Sequence, residues 1–434
     1  MPIFNPEYET MSRGALAELQ LRRLQATIAW VYDRVPYYRD KLDEAGVRPK
    51  HIKRLSDVRL LPFTDKTVMR DAYPFGLFAV PLEQVVRIHS SSGTTGTPIV
   101  VGYTRGDLNT WSECTARVAS AAGVTPHDRV QIGFGYTMFT GGFGLHYGVE
   151  KIGATVIPAG AGNTERHIQM MRTFGTTAFV STPSYALYLA EVGEEMGVDW
   201  AETSLRVGLF GGEPSGEHMR DEIQKRLHIL ATDNYGLTEV MGPGVSGECG
   251  CQCGLHVAED HFLCEIVDPA TSEPVEPGGE GELIVTTLTK EAIPVLRYRT
   301  RDLTKIATEP CECGRTLARM AKVRQRTDDM LIIRGVNVFP SQIEDVLLQI
   351  KHVQPHYVIV VDRKKSLDDL EVQIEVSEEV FSDAMRDMVA FTKKVSDKLH
   401  SVVGLHAKVT LVEPGSIERT VGKAQHVVDK RDLG

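Results

Sequence analysis

Absences narrow the class of this chain first. It has no long basic block, and its formal net charge is −10, so neither nucleic acid nor an anionic membrane is expected as a partner. No apolar run approaches the ~20 residues that span a bilayer. Met1 to Thr10 lacks a basic segment followed by an apolar one, so a cytoplasmic protein is expected. Cysteine is sparse and odd in number: there are seven, and six fall in or beside two tight clusters. Secreted frameworks spread their cysteines, whereas close C-x-C pairs hold metal, so reduced thiols are expected. What is present is ordinary for a globular protein, with 42% hydrophobic and 24% charged residues. A chain of 434 residues exceeds one small core and suits a large domain with a small one appended.

The most distinctive stretch is Ser90, Ser91, Ser92, Gly93, Thr94, Thr95, Gly96, Thr97, Pro98, with six hydroxyls and two glycines between two β-prone runs. It reads as strand, turn and strand. By composition the turn suits a solvated loop or a phosphate cradle, since glycine lets N–H groups converge on an anion and hydroxyls add donors. The Walker pattern fails, because no Gly-Lys-Ser/Thr follows and no basic residue occurs before Arg105. A phosphate site here needs a lysine from elsewhere.

Before this stretch, Leu16, Leu19, Leu24, Ile28 and Val31 have helical spacing, and residues 1–81 read as a helical N-terminal subdomain. After it, Thr104 and Asp107 form a capping box for a helix over 107–122. Strand-like runs at 130–134, 154–157, 178–181 and 207–210 then alternate with helical patterns at 165–174 and 184–196. That alternation predicts an α/β layered domain with parallel pairing and ligands at the loops leaving the strands.

Several of these loops carry chemistry. Residues 133–144 interleave five glycines with Phe134, Tyr136, Phe139 and Phe143, a poor way to build a core and a good way to admit a flat ring. Phe210-Gly211-Gly212-Glu213-Pro214-Ser215 is a Gly-Gly turn leading to a helix with Ser215 as its expected cap. In Asp233-Asn234-Tyr235-Gly236-Leu237-Thr238-Glu239, Tyr235 offers a face for a purine, Thr238 a hydroxyl for phosphate and Glu239 a hard oxygen for Mg²⁺. Cys249, Cys251, Cys253 and His256, with Cys311 and Cys313, supply more ligands than a closed tetrahedral zinc site needs; buried free thiols are the alternative. Asp302, in Arg297-Tyr298-Arg299-Thr300-Arg301-Asp302, could accept from both ribose hydroxyls or simply cap a loop. Beyond 324–335 the order becomes mixed: Ser341 and Glu344 suggest a capped helix, strands follow, and a helix is expected over 377–400. These features suit a small α+β domain.

S-S-S-G-T-T-G-T-P, Y-G-x-T-E, Y-R-T-x-D and the terminal R-T-x-G-K together resemble the ANL adenylate-forming enzymes, and more narrowly the phenylacetate-coenzyme A ligase family, over almost the whole chain. The resemblance implies a large multi-layer adenylation domain over 1–326 and a small mobile domain over 327–434, with a hinge near Asp328. It implies that an aryl acid, phenylacetate above all, is joined to coenzyme A through an acyl-adenylate, with release of AMP and pyrophosphate. Indoleacetate or benzoate as the acid, or AMP transfer as in the coenzyme F390 synthetases, are the alternatives. It places ATP phosphates on Ser90 to Thr97 with Thr94 catalytic. The nucleotide falls on Gly212, Glu213, Pro214, Asp233, Asn234, Tyr235, Gly236, Thr238, Asp302 and Arg326. The acid falls among Tyr136, Phe139, Phe143, Gly211 and Gly212. Glu239 would hold Mg²⁺, and Lys423 would supply the missing lysine during adenylation. Structural Zn²⁺ would be held by Cys249, His256, Cys311 and Cys313, and a homodimer is expected.

Overall fold

Alternating apolar and β-branched residues on either side of the hydroxyl-rich stretch form a hairpin. Strand β1 (Arg87–Ser90) pairs antiparallel with β2 (Val100–Tyr103), Ser90 opposite Val100. These coordinates are a computed structural model that describes residues 2–91, 98–323, 325–327, 329–334, 336–364, 367–377, 380, 385–418 and 426–431. Ser92, Gly93, Thr94, Thr95, Gly96, Thr97, Asp328 and Lys423 lie outside the described residues.

Thr104 ends β2 and starts the next helix. Its hydroxyl accepts from the Asp107 N–H and the Asp107 carboxylate accepts from the Thr104 N–H, each at 3.0 Å. The helix runs Arg105–Ala121. The buried Asp107 carboxylate also accepts from the backbone N–H groups of Glu291 and Ala292 at 2.7 and 3.0 Å, so the cap doubles as a tie to a distant segment.

The expected alternation follows. Strands β3 (Arg129–Ile132), β4 (Thr155–Ile157), β5 (Ala178–Ser181), β6 (Val207–Gly211) and β7 (Leu230–Leu237) pair in parallel in the order β4-β3-β5-β6-β7. All four residues of β5 are buried, as expected of a parallel strand covered by helices on both faces. The chain leaves β3 for the sheet edge at β4 and returns on the other side of β3 at β5. That reversal puts a crevice at the carboxyl ends of these strands.

Beyond β7 the sheet turns antiparallel through β8 (Gly242–Glu248) and β9 (Leu255–Val257). Gly236 allows the β7–β8 approach, since a Cβ there would lie 1.8 Å from the Gly242 carbonyl oxygen. A second sheet carries β10 (Phe262–Val267), β11 (Gly281–Thr287) and β12 (Tyr298–Thr304). The N-terminal helix Arg13–Arg34 buries Leu16, Leu24, Ile28 and Val31, and the last three share one core with Leu283, Val285 and Met320.

From Ile333 onward a separate core forms. Strands Val353–Lys364 and Leu367–Val376 pair antiparallel, with Lys408–Val412 and Val427–Asp429 added in parallel. Two local expectations are corrected. The helix after the Gly-Gly turn is Glu217–Leu227 with Gly216, not Ser215, at its N-cap. The next expected cap fails because Pro340, suited to a first helical turn, starts the helix Pro340–Leu347. Gln342 there accepts from the Phe339 N–H, and Glu344 is buried inside the helix. The helix expected over 377–400 is Met385–Val403 among the described residues. No described helix is long and apolar enough to cross a membrane.

Candidate active site

Two hollows open at the carboxyl ends of β3, β6 and β7. The first, of about 100 Å³, is lined by Gly212, Glu213 and Pro214 after β6, by Asp233 to Leu237 of β7, and by Leu255, Asp302, Val323 and Arg326. The second, of about 40 Å³, is lined by Phe134, Phe139, Thr140, Gly141 and Leu145 on one side and by Gly211, Gly212, Asn234, Gly236, Thr238 and Pro243 on the other. Gly212, Asn234 and Gly236 belong to both, so the hollows meet at one seam.

The larger hollow is the more polar of the two and is tightly braced. The Tyr235 hydroxyl donates to Asp302 Oδ2 at 2.5 Å, and Arg326 Nη1 lies 3.3 Å from Asp302 Oδ1. Burial, reinforced by Asp302, pushes the Tyr235 phenol well above its ordinary value, so it stays a donor. Burial also pushes Asp233 up to about 7 against the pull of Lys322. Its N–H donates to Glu248 Oε2 at 2.9 Å, and Glu248 is held by Arg220 at 2.7 Å.

The smaller hollow is mostly apolar. Thr140 and Thr238 face each other across it with hydroxyls 3.3 Å apart, and the neighbouring Glu239 is buried. Trp111, which the sequence did not single out, supports the wall: its indole N–H donates to the Pro243 carbonyl at 2.8 Å while its ring stacks on Tyr103. Phe139 lines this hollow, whereas Tyr136 and Phe143 pack edge to face in an adjoining cluster. There the Tyr136 hydroxyl meets His146 Nδ1 at 3.0 Å, and the Arg87 guanidinium lies over Phe143 and Tyr147. Leu145, Pro243, Leu255 and Val323 also line the hollows; as isolated apolar residues they carry no sequence signal.

The described base of the hydroxyl-rich loop reaches this region. Ser90 N–H donates to the Met138 carbonyl at 3.0 Å, tying β1 to the glycine and aromatic loop, and Ser91 Oγ accepts from the Ile99 N–H at 3.0 Å.

Behind the larger hollow, Cys249, His256, Cys311 and Cys313 gather with ligand atoms all within 4.8 Å of one another. A tetrahedral ion with bonds of about 2.3 Å to sulfur sets its sulfurs roughly 3.8 Å apart. Cys249 Sγ and Cys311 Sγ are 3.8 Å apart, and Cys313 Sγ lies 3.4 Å from His256 Nε2. Burial, then nearby Arg315, brings His256 down to about 4, which keeps the imidazole neutral. The donor set therefore fits a closed zinc site. His256 directly follows Leu255 of the hollow's wall, and Cys249 directly follows Glu248.

Known proteins resemble this chain over most of its length. The AMP-binding enzyme family matches residues 26–288, and the AMP-binding enzyme C-terminal domain matches 335–431. A phenylacetate-coenzyme A ligase of Thermus thermophilus is 48% identical over 443 residues, covering 99% of this chain and 100% of the relative. One of Escherichia coli is 48% identical over 427 residues, covering 98% and 97%. Among solved structures, 2-hydroxyisobutyryl-CoA ligase in its postadenylation state, in complex with R3-HIB-AMP, superposes with a TM-score of 0.92 at 30% identity, covering 99% of this chain and 92% of that one. The same ligase with 2-HIB-AMP and CoA in its thioesterification state gives 0.72 at 31% identity, covering 98% and 92%.

Proposed function

The chain belongs to the phenylacetate-coenzyme A ligase family of AMP-binding enzymes, and on that premise we propose that it joins phenylacetate to coenzyme A in two steps through an acyl-adenylate. The observation that carries this reading is the seam at Gly212, Asn234 and Gly236, where a hollow braced by Tyr235, Asp302 and Arg326 meets a smaller and less polar one. An acyl-adenylate has that form, with a nucleotide and an arylacetyl group joined through one carboxylic–phosphoric anhydride oxygen.

In the first step the acid's carboxylate attacks the α-phosphate of ATP and pyrophosphate leaves. Tyr235 and Pro214 flank the base, Asp302 accepts from the ribose, and Phe139 with the glycine edges receives the aryl ring. Thr94 and its neighbours grip the phosphates, and Lys423 comes in from the small domain to balance the departing charge. Mg²⁺, held by Glu239, would neutralise phosphate charge. In the second step the thiol of coenzyme A attacks the acyl carbon and AMP leaves. The protein supplies positioning and charge neutralisation rather than a covalent intermediate. Zinc on Cys249, His256, Cys311 and Cys313 would be structural, fixing the loops behind the nucleotide hollow. The hinge near Asp328, a homodimer and a cytoplasmic location belong to the same reading.

The test is a panel of phenylacetate, indoleacetate, benzoate and an aliphatic acid, each with ATP, with and without coenzyme A. Acid-dependent pyrophosphate release together with thioester formation, strongest for phenylacetate, is expected. Pyrophosphate release without thioester would move the assignment to AMP transfer, and release with none of the acids would end it.

A further inference from the structure

The metal cluster leaves two sulfurs over, Cys251 and Cys253, and Cys253 stands against one of the ligands. Cys253 is exposed, yet its Sγ lies 3.5 Å from Sγ of buried Cys311, closer than the 3.8 Å between Cys311 and Cys249. Arg319 fixes it there, with Nη1 at 2.9 Å from both its sulfur and its carbonyl oxygen and Nη2 bonded to the Glu309 carbonyl. Gln252, at positive φ, anchors the same loop by donating to the Ala231 carbonyl at 2.6 Å. A structural set of three thiols and one imidazole needs no fifth ligand, and an exposed thiol beside a buried ligand is the arrangement from which a disulfide can form.

We infer that Cys253 is a modification site through which hydrogen peroxide disarms the metal cluster. The Cys253 sulfur attacks the peroxide, taking one oxygen as a sulfenic acid while the other leaves as water. The Cys311 sulfur, a thiolate while it is a ligand, then attacks Cys253; the sulfur–sulfur bond forms, the sulfur–oxygen bond breaks, and hydroxide leaves to take a solvent proton as the second water. Two thiols are oxidised and one peroxide is reduced. Closing the pair to a bond of about 2.05 Å requires the sulfurs to approach by about 1.5 Å. Cys311 is thereby removed from the ligands. The remaining three must share the ion with solvent, which weakens the site and lets the ion exchange to a competing chelator. The consequence reaches the nucleotide hollow because Leu255 lies between Cys253 and the ligand His256.

This inference rests on the zinc reading given above, and its test separates the two. The full-length protein as purified is assayed for metal, then exposed to hydrogen peroxide with a metallochromic dye, while peptides are mapped without reduction. The expected result is release of one zinc per chain in step with a Cys253–Cys311 linked peptide. Cys253→Ser should hold its zinc at least about tenfold longer, whereas Cys251→Ser should behave like the unmodified chain. Release from Cys253→Ser at the unmodified rate, or the absence of the linked peptide, would overturn the inference. A preparation that never held metal yet forms the linked peptide would refute the zinc reading while sustaining the modification site.

Discussion

Tyr235 is the residue on which the larger hollow is hung. Its phenol donates to Asp302 at 2.5 Å, and Asp302 is in turn paired with Arg326, so one carboxylate is fixed by partners from two strands. Removing the hydroxyl leaves a buried carboxylate short of a donor, a loss of about 1.5 kcal/mol. Tyr235→Phe is accordingly expected to raise KM for ATP about tenfold, with kcat for the aryl acid changed less. Steady-state kinetics at fixed acid concentration checks this; a pure fall in kcat would contradict the role. Tyr235 and Thr238, singled out by Y-G-x-T-E, and Asp302, singled out by its resemblance to Y-R-T-x-D, all line the hollows. Trp111 was not legible in the sequence: a tryptophan on a helix face reads as core until its indole N–H is seen holding the Pro243 carbonyl.

At the scale of elements, the loops around the cysteine cluster act as a brace. β8 ends at Glu248, which holds the Asp233 N–H, and β9 contributes Leu255 to the larger hollow, so whatever fixes 249–256 also fixes that wall. Stripping metal with a strong chelator should lower the thermal midpoint and raise KM for ATP severalfold, with both effects reversed by added zinc. An unchanged midpoint would reduce the cluster to packed thiols. The parallel strands and the Thr104 cap matched the pattern in the sequence because period and capping chemistry are local. The Pro340 helix start and the Gly216 cap did not follow from Ser341 and Ser215, because several residues in one turn compete for the same cap and packing decides. The placement of Tyr136 and Phe143 beside the apolar hollow's lining rather than in it was likewise beyond sequence, since neighbouring aromatics on a loop cannot be sorted without their partners.

The whole molecule is read as a large domain closed by a small one, and two predictions belong to that contact. Lys423→Ala should abolish acid-dependent pyrophosphate release yet leave thioester formation from supplied acyl-adenylate nearly intact, because only the first step uses that lysine. Equal loss in both assays would exclude a domain rearrangement between steps. The second prediction concerns Glu344 of the small domain. Burial pushes it up to about 8, with Glu213 of the large domain and Asp345 adding repulsion while the Tyr357 phenol offsets them. The folded protein thus holds this proton more tightly than the unfolded chain, whose carboxyl titrates near 4.5. Stability should therefore fall as pH rises from about 4.5 to about 8 and lose no more from this group beyond that. Glu344→Gln should flatten that stretch of the profile in denaturant titrations, and an unaltered profile would contradict the assignment.

The central claim is that one aryl-adenylate spans both hollows. A crystal structure with a non-reactive phenylacetyl-adenylate analogue tests it most directly. The account predicts the adenine beside Tyr235, the ribose on Asp302, the acyl linkage at Gly212 and Gly236, and the phenyl ring against Phe139. An analogue bound elsewhere, or one with its ring outside the Phe139 hollow, would contradict it.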